Sequence, residues 1–286
     1  MCITCDYDNF LQIYGITQVP EKNEYMLVMQ YAEGGNLLSY LDQNINKLTW
    51  RMKAELVKYI AFNLDVIHSR GLIHCDLHGG NVLLGRSSAS MSSKASFTSY
   101  ICDLGLSQSV NSYRSDSQTI QGVLPYIAPE VLHTHKHTSK SDIYGFGILM
   151  HQIASGEPPF RDRAFDYKLI QDICNGLRPY MPDSAPEPFK ELAKQCCDAE
   201  PNNRPDADKL KREVQKFFTH NDSSQEESAV WDIIYKKENV NPVSHVEKES
   251  KYSSKILTTE HLPTPRNSYD TSGMNVIDFI VIIYKY

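Results

Sequence analysis

The stretch SDIYGFGILMHQIASG, residues 141–156, constrains the fold of this chain more than any other segment. Drawn as a helix, it is apolar on nearly every side, which predicts a helix buried in the centre of a domain. A domain that encloses such a helix needs further elements to cover it. The chain has 286 residues, 41% of them hydrophobic, so it can supply those elements within one large domain or two small ones.

Periodic segments separated by turn signals lie on both sides of this stretch. Phe10–Gln18 and Glu24–Tyr31 are rich in β-forming residues, and TQVPEKNE between them predicts a hairpin. A Ser-rich insertion, Arg86–Ser99, precedes a short strand, SYICD. Apolar residues at helical spacing predict further helices over Asn36–Gln43, Trp50–Arg70, Phe165–Gly176, Glu187–Asp198 and Asp206–Phe218. The predicted architecture is therefore two or three strands followed by a helix-rich domain.

Composition limits the location and the partners of the protein. From His220 onward, Ser, Glu, Lys, Asn and Thr dominate, which predicts a mostly disordered tail. The apolar run VIDFIVIIY near the end is too short for a membrane span and predicts a sticky terminal strand. The formal charge of −6 argues against a nucleic-acid binder. Seven cysteines without a regular framework, and no signal peptide, predict reduced thiols in a cytoplasmic protein.

The segment LIHCDLHGGNVLL, residues 72–84, places ionisable side chains between two apolar ends. Asp76 and Asn81 are five residues apart, and Asp103 ends the next predicted strand. Oxygen ligands of this kind suit Mg²⁺, which would leave Asp76 free to accept a proton. Close approach of the backbone is permitted by the glycines at positions 79, 80 and 105. A polar turn that caps neighbouring elements, or a metal site built from His-x-Asp-x-His, would account for the same residues.

Six motifs, in the order and at the spacing of the family, resemble those of eukaryotic protein kinases. IHCDLHGGNVLL resembles the catalytic loop, ICDLG the magnesium-binding motif, and GVLPYIAPE the end of the activation segment. SDIYGFG resembles the start of the central helix, and LVMQYAEGGNL the hinge between the two lobes. CCDAEPNNRP resembles the loop whose Arg204 pairs with Glu130. The resemblance covers roughly residues 8–219 and implies an α+β, protein-kinase-like fold.

The resemblance divides the chain into three regions. Residues 1–32 would be a remnant of the N-lobe and the hinge, residues 33–219 a helix-rich C-lobe, and residues 220–286 a disordered tail. The N-lobe is expected to be truncated, with residual strands only, because YDNFLQIYGIT resembles the entry to its fourth strand. The 286 residues contain no Gly-x-Gly-x-x-Gly and no Val-Ala-Ile-Lys-like strand. Positioning and charge stabilisation supply most phosphoryl-transfer catalysis, so transfer by these residues alone is expected to be impaired.

The resemblance also implies roles for residues of the catalytic loop. Asp76 would orient the substrate hydroxyl or accept its proton, while Asn81 and Asp103 would hold the magnesium that bridges the ATP phosphates. Cys75 replaces the usual Arg, which makes this a non-RD loop in which control by activation-segment phosphorylation is not expected. His78 replaces the Lys that acts near the transferred phosphate, and a mostly neutral imidazole would stabilise that charge less well.

The hinge motif implies the binding site for the nucleotide base. The backbone at Gln30 and Ala32 would bind adenine, with Leu83 as the floor of the pocket and Met29 as gatekeeper. LPYIAPE and YAEGGNL are most similar to the tyrosine-kinase-like group of Ser/Thr kinases, since tyrosine kinases usually carry Lys-Trp in place of Pro125-Tyr126.

The function implied is an ATP-dependent protein Ser/Thr kinase of intracellular signalling, with ATP and Mg²⁺ as cofactors and a protein as substrate. Two alternatives follow because the 286 residues contain neither the glycine-rich lid over the phosphates nor the lysine that anchors ATP. One is a pseudokinase that acts as a scaffold. The other is an incomplete gene model of an active kinase.

Overall fold

The structure, a computed structural model, describes residues 11–19, 24–86, 97–110, 120–218, 252, 254–257 and 262–267. The helices in this part of the chain are α1 (Leu37–Asn44), α2 (Trp50–Ser69), α3 (Pro129–Thr134), α4 (Ser139–Ser155), α5 (Tyr167–Cys174), α6 (Glu187–Cys196) and α7 (Ala207–Lys216). The strands are β1 (Ile13–Val19), β2 (Glu24–Met29), β3 (Leu72–Ile73), β4 (Val82–Arg86), β5 (Phe97–Ile101), β6 (Gln108–Ser109), β7 (Ile120–Gly122) and β8 (Lys255–Leu257).

The helices predicted from apolar spacing are confirmed, each to within two residues at either end. Side-chain caps define several of their starts. Ser39 N donates to Asn36 Oδ1 at 2.8 Å before α1, and Leu169 N donates to Asp166 Oδ1 at 3.0 Å before α5. Such caps satisfy backbone N–H groups that have no partner within the helix. The short helix α3, which begins at Pro129, was not predicted because a six-residue segment leaves little periodicity.

Helix α4 lies in the centre of the core, as its sequence predicted. A capping box between Thr138 and Ser141 begins it, and Gly156, at φ 77°, ends it. A Cβ at Gly147 would lie 2.5 Å from Cys197 Sγ, so the glycine lets the end of α6 approach the backbone of α4. From α2, the buried Lys53 donates its Nζ to the carbonyl of Ala154 at 2.7 Å, close to the end of α4.

The strands form four antiparallel pairs, β1–β2, β3–β6, β4–β5 and β7–β8, which is more than the two or three strands predicted. Strands of two or three residues show no alternation in the sequence, so several of these pairs left no signal. The predicted hairpin is confirmed as β1–β2. Its apolar side chains are largely exposed, with Ile16 at 73% and Tyr25 at 74%. The Ser-rich insertion predicted over Arg86–Ser99 overlaps both strands of the pair β4–β5, since β4 ends at Arg86 and β5 begins at Phe97, and its residues 87–96 lie outside the described residues.

Most of the predicted disordered tail, and the run VIDFIVIIY, lie outside the described residues. The parts of residues 220–286 that are described contact the domain. Strand β8 pairs with β7, and both Tyr252 and Leu257 are buried. This contact differs from the prediction of disorder, because the domain supplies the sheet partner and apolar surface that the tail composition lacks. None of the described helices has the length and apolar character needed to cross a membrane.

Candidate active site

The catalytic-loop residues lie between β3 and β4, and Asp142 in the first turn of α4 holds them in place. The backbone N–H groups of His74 and Cys75 donate to the two Asp142 oxygens at 2.7 and 3.0 Å. His68 Nε2, from the end of α2, lies 2.8 Å from Asp142 Oδ2. A buried carboxylate that accepts three hydrogen bonds is well satisfied, and the N-terminal turn of a helix favours negative charge. The central helix therefore fixes the loop through one side chain.

His74 connects the loop to the end of β5. Its Nδ1 accepts a hydrogen bond from Asp76 N at 3.3 Å, so the neutral ring carries its proton on Nε2. That Nε2 lies 3.0 Å from the carbonyl oxygen of Cys102, to which it donates. Between these two contacts Cys75 adopts a left-handed conformation with φ 69°, which is uncommon for a residue with a side chain. The strained residue and the bridging imidazole together set the position of Asp76.

Asp76 is buried, with 7% of its surface exposed, and its backbone groups and Oδ2 are hydrogen-bonded. Asn81 Nδ2 donates to its carbonyl oxygen at 3.0 Å and lies 3.4 Å from Oδ2. The Ser254 hydroxyl donates to Oδ2. Burial raises the pKa of Asp76, but the His78 imidazole that faces its Oδ2 and the hydrogen bond from Ser254 outweigh it and bring the pKa below its usual value. Asp76 is therefore a carboxylate at neutral pH, with a serine hydroxyl bound to it.

The imidazole of His78 faces the same carboxylate. Gly80 N donates to its Nδ1 at 3.0 Å, so Nε2 is the protonated nitrogen of the neutral ring. Nε2 lies 3.7 Å from Asp76 Oδ2 and 3.5 Å from the Ser254 hydroxyl oxygen. A Cβ at Gly80 would come within 2.7 Å of the His78 ring, so the close approach that this glycine was predicted to allow is present. His78 can thus offer an N–H to groups that gather around Asp76.

Asn81 and Asp103 lie on adjacent segments. Cys102 N donates to the Asn81 carbonyl at 2.9 Å, which brings the residue before Asp103 against Asn81. Asp103 is exposed in a left-handed conformation, φ 59°, and its Oδ1 accepts a hydrogen bond from Gly105 N at 3.1 Å. Burial raises the pKa of the Cys102 thiol to about 11, so it packs there as a neutral thiol.

The donor set of Asn81 and Asp103 suits a hard cation. The Asn81 amide nitrogen donates a hydrogen bond to the carbonyl oxygen of Asp76, so the Asn81 amide oxygen is left to bind a cation. Asp103 adds a carboxylate. Mg²⁺ is commonly held by one or two such groups, with phosphate oxygens and water completing its six ligands. Within the described ranges, no three His, Cys, Asp or Glu side chains gather in a way that could hold a metal ion.

The hinge lies directly against β4. Gly34 N donates to Leu84 O, and Leu84 N donates to Gly35 O, both at 2.8 Å. A Cβ at Gly34 would lie 2.8 Å from the Leu84 Cβ, so only glycine permits this approach. The contact places the segment that contains Ala32 next to the strand that contains Leu83.

The backbone groups expected to bind adenine differ in their bonding. Gln30 N donates to Gln12 O at 2.7 Å, so that donor is occupied. The Ala32 carbonyl accepts Gly35 N at 3.1 Å. Between described residues, no hydrogen bond uses the Gln30 carbonyl or the Ala32 N–H. One acceptor and one donor, two residues apart on the hinge, complement the amino group and the neighbouring ring nitrogen of adenine.

The predicted pair of Glu130 and Arg204 is present as a buried brace. Arg204 is fully buried and donates through both terminal nitrogens to the two Glu130 oxygens, each at 2.7 Å. It also donates to the carbonyls of Asp198 and Lys140, at 2.8 and 2.9 Å. This bidentate geometry joins the start of α3 to the loop before α7.

The kinase resemblance implies a structural role for Asp142, and its three hydrogen bonds to a loop and a helix far apart in the chain are what such a role requires. One feature of the site, Ser254, left no signal in the sequence. Ser254 lies in a Ser-rich region whose composition does not distinguish it from its neighbours. Only the pairing of β7 with β8 brings its hydroxyl to Asp76.

The buried central helix, the loop bonded to it and the small antiparallel strands define the α+β fold of a protein kinase. The chain belongs to the protein tyrosine and serine/threonine kinase family, which it matches over residues 1–214. It is 27% identical over 221 residues to the probable serine/threonine-protein kinase kinX of Dictyostelium discoideum, covering 76% of this chain and 19% of that protein. It is 33% identical over 196 residues to the dual specificity protein kinase zakA of the same organism, covering 65% of this chain and 24% of that protein. The chain thus spans about a fifth and a quarter of these two relatives.

Proposed function

We propose that this chain transfers the terminal phosphoryl group of Mg-ATP to serine or threonine hydroxyls of proteins. One observation carries the proposal: a buried, ionised Asp76 holds a serine hydroxyl in a hydrogen bond, as a base holds the nucleophile before transfer. The membership of the chain in a kinase family supports the same reaction.

Asp76 and His78 have different roles in the proposed reaction. Asp76 aligns the hydroxyl and takes its proton as the oxygen bonds to phosphorus. Because the pKa of Asp76 is low, its main contribution is orientation, with the proton accepted late in the step. The Nε2–H of His78, 3.5 Å from the hydroxyl oxygen, donates toward the negative charge that develops there. Positioning of this kind is where most of the catalytic effect of phosphoryl transfer arises.

Nucleotide binding falls, in this proposal, to residues on both sides of the catalytic loop. Asn81 and Asp103 would hold the magnesium, and the Gln30 carbonyl, the Ala32 N–H and the side chain of Leu83 would bind the adenine. Magnesium, when bound, supplies positive charge to the phosphate oxygens. The donor set of Asn81 and Asp103 and the unused hinge groups support these assignments.

We further place the chain in the tyrosine-kinase-like group, with an intracellular signalling role and a non-RD loop. The motifs LPYIAPE and YAEGGNL support the group, and Cys75 in place of Arg supports the non-RD assignment. The printed names of kinX and zakA, a serine/threonine and a dual specificity kinase, are compatible with phosphoryl transfer to serine or threonine hydroxyls.

The test is transfer of labelled phosphate from ATP to casein by the full chain, with Asp76→Asn as the variant. Asparagine keeps the size of the side chain but cannot accept the proton, so labelling should fall by about a hundredfold or more. The matched control is Asp162→Asn, the same change at a carboxylate whose side chain is 90% exposed, and its labelling should equal that of the wild type. Equal labelling by the wild type and Asp76→Asn would contradict the proposal.

A second candidate function, a pseudokinase scaffold, rests on the exposed apolar side chains of β1–β2. Such a patch is typical of a surface that another protein segment covers. The same assay distinguishes the two functions. A chain that shows no magnesium-dependent labelling, while remaining folded and monodisperse, would favour the scaffold.

A further inference from the structure

The C-terminal segment occupies the groove beside the catalytic loop as a bound peptide would. Strand β8 pairs antiparallel with β7, in the register Lys255–Gly122, Gln121–Ile256 and Ile120–Leu257. Addition of a strand to an exposed edge is a common mode of peptide recognition, in which the backbone gives affinity and side-chain pockets give specificity. The edge used here, β7, belongs to the activation segment.

The register brings Ser254 to the catalytic aspartate. A Cβ at Gly122 would lie 3.5 Å from Asp76 Oδ1, so β7 passes directly beside that carboxylate. Lys255 is opposite Gly122, and Ser254 comes one residue before it in the chain. The Ser254 hydroxyl donates to Asp76 Oδ2 and lies 3.5 Å from His78 Nε2. It therefore contacts both groups that the proposed reaction requires around an acceptor.

Apolar residues anchor the segment on both sides of Ser254. Leu257 is 3% exposed and belongs to the main hydrophobic core. Tyr252 is 6% exposed, its ring packs edge-to-face on Phe165 at 5.3 Å, and its hydroxyl donates to the carbonyl of Pro159 at 3.3 Å. An aromatic and an aliphatic anchor, two residues before and three residues after the serine, hold the backbone so that the hydroxyl has a fixed position.

A second contact holds the chain further along. The backbone N–H of Arg266 donates to the carbonyl of Cys174 at 2.9 Å. The side-chain amide of Asn267 accepts from Ala199 N at 2.8 Å and donates to Asp198 Oδ1 at 3.2 Å. The tail is thus bound to the domain at two places, and the segment that contains Ser254 belongs to the same chain as Asp76.

On these contacts we propose that Ser254 is a phosphorylation site that the active site of this chain modifies in cis. This inference rests on the proposed kinase function. A segment that only blocked the groove would need no hydroxyl next to the catalytic carboxylate. Here the Ser254 hydroxyl is the group bound to Asp76. The chemical class of acceptor that follows is a serine in an extended segment, with an aromatic residue at position −2 and an aliphatic one at position +3.

The step balances with ATP as the co-substrate. The Ser254 oxygen forms a bond to the γ-phosphorus, and its proton passes to the Asp76 carboxylate. The bond between the γ-phosphorus and the oxygen that bridges to the β-phosphate breaks, and its electron pair leaves with ADP. The product is a phosphoserine with a charge of about −1.5 to −2 at pH 7, next to Asp76. Repulsion between these anions favours release of the tail from the groove.

In the test, the full chain is incubated with Mg-ATP, and the phosphorylated residues are identified by tandem mass spectrometry. We expect phosphate on Ser254, absent from Ser254→Ala and retained in the neighbouring Ser253→Ala control. Because the acceptor is tethered to the active site, the fraction labelled per unit time should not change with protein concentration. Leu257→Asp places a charge at a buried anchor, so it should abolish labelling of Ser254 while casein is still labelled.

Each contrary result has a distinct meaning. Casein labelling that depends on Asp76, without phosphate on Ser254, would overturn this inference and leave the proposed kinase function intact. Labelling of Ser254 at a rate that rises with protein concentration, or that persists in Leu257→Asp, would overturn the reaction in cis. Labelling of neither casein nor Ser254 would overturn the kinase function and this inference together.

Discussion

At the scale of single residues, the charge on Asp76 depends on the imidazole beside it. Burial alone would raise the pKa of Asp76, and the His78 imidazole facing the carboxylate is the largest influence that lowers it. His78, which stands where the family places a lysine, thus helps to keep the proposed base, Asp76, ionised.

Replacement of His78 by alanine tests that effect. The variant should raise the pKa of Asp76, so the acidic limb of the pH–rate profile should move to higher pH. The transfer rate at neutral pH should fall by about tenfold, since an interaction with the reacting groups is lost. The measurement is casein labelling across the pH range.

A purely structural role would lower the rate without moving the acidic limb, and this result would contradict the prediction. The matched control is His133→Ala, the same change at an exposed histidine near the end of α3. Its profile should coincide with that of the wild type.

At the scale of elements, the brace between Glu130 and Arg204 fixes the end of the activation segment against the loop before α7. Arg204 satisfies a carboxylate and two backbone carbonyls from a fully buried position. Removal of one partner from such a pair leaves the other charge buried without compensation.

Arg204→Ala should therefore lower the free energy of unfolding by about 3–5 kcal/mol, measured by urea titration. The control, Arg212→Ala, removes an arginine from an exposed pair with Asp208 on α7, where both side chains are more than half exposed. Exposed pairs contribute little, so that change should stay within about 1 kcal/mol. Similar decreases in the free energy of unfolding of the two variants would contradict the prediction that the buried pair stabilises the fold more than the exposed pair.

The elements also show how far the sequence predicts this fold. Helix α2 was predicted because Leu56, Ile60 and Leu64 repeat at helical spacing, and all three are buried. Strand β8 was not, because a three-residue strand has no period and its partner lies far away in the chain. For the site, the motifs single out Asp76, whereas the hydrogen bonds by which Asp142 holds the loop depend on tertiary contacts. The catalytic, metal and adenine assignments all stay predictions, at Asp76, His78, Asn81, Asp103, Gln30, Ala32 and Leu83.

At the scale of the whole molecule, one buried histidine links folding to pH. His151 on α4 is 7% exposed, with Nδ1 3.4 Å from the carbonyl of Tyr180. Burial lowers its pKa, the hydrogen bond to the Tyr180 carbonyl partly opposes this, and the charge of Arg178 lowers it, so that the pKa falls to about 4. Between pH 6.5 and about 4 the unfolded chain therefore binds a proton that the folded chain does not.

The stability of the protein should consequently decrease as the pH falls through this window, by up to about 3 kcal/mol from His151. His151→Gln should flatten the dependence of the free energy of unfolding on pH, whereas His133→Gln should leave it unchanged. Urea titrations at several pH values measure the slope. An unaltered slope in His151→Gln would contradict the prediction. The half-buried His137, whose pKa burial also lowers, adds in the same direction.

The buried amine of Lys53 offers a way to time the internal motions of this domain. Burial lowers its pKa to about 8, and its Nζ is bonded to the end of the central helix. Reagents that acylate amines reach a surface lysine at once, but they reach Lys53 only when α2 separates from α4. The rate at which Lys53 is acylated, measured by mass spectrometry, would therefore report the rate at which α2 and α4 separate while the rest of the chain stays folded.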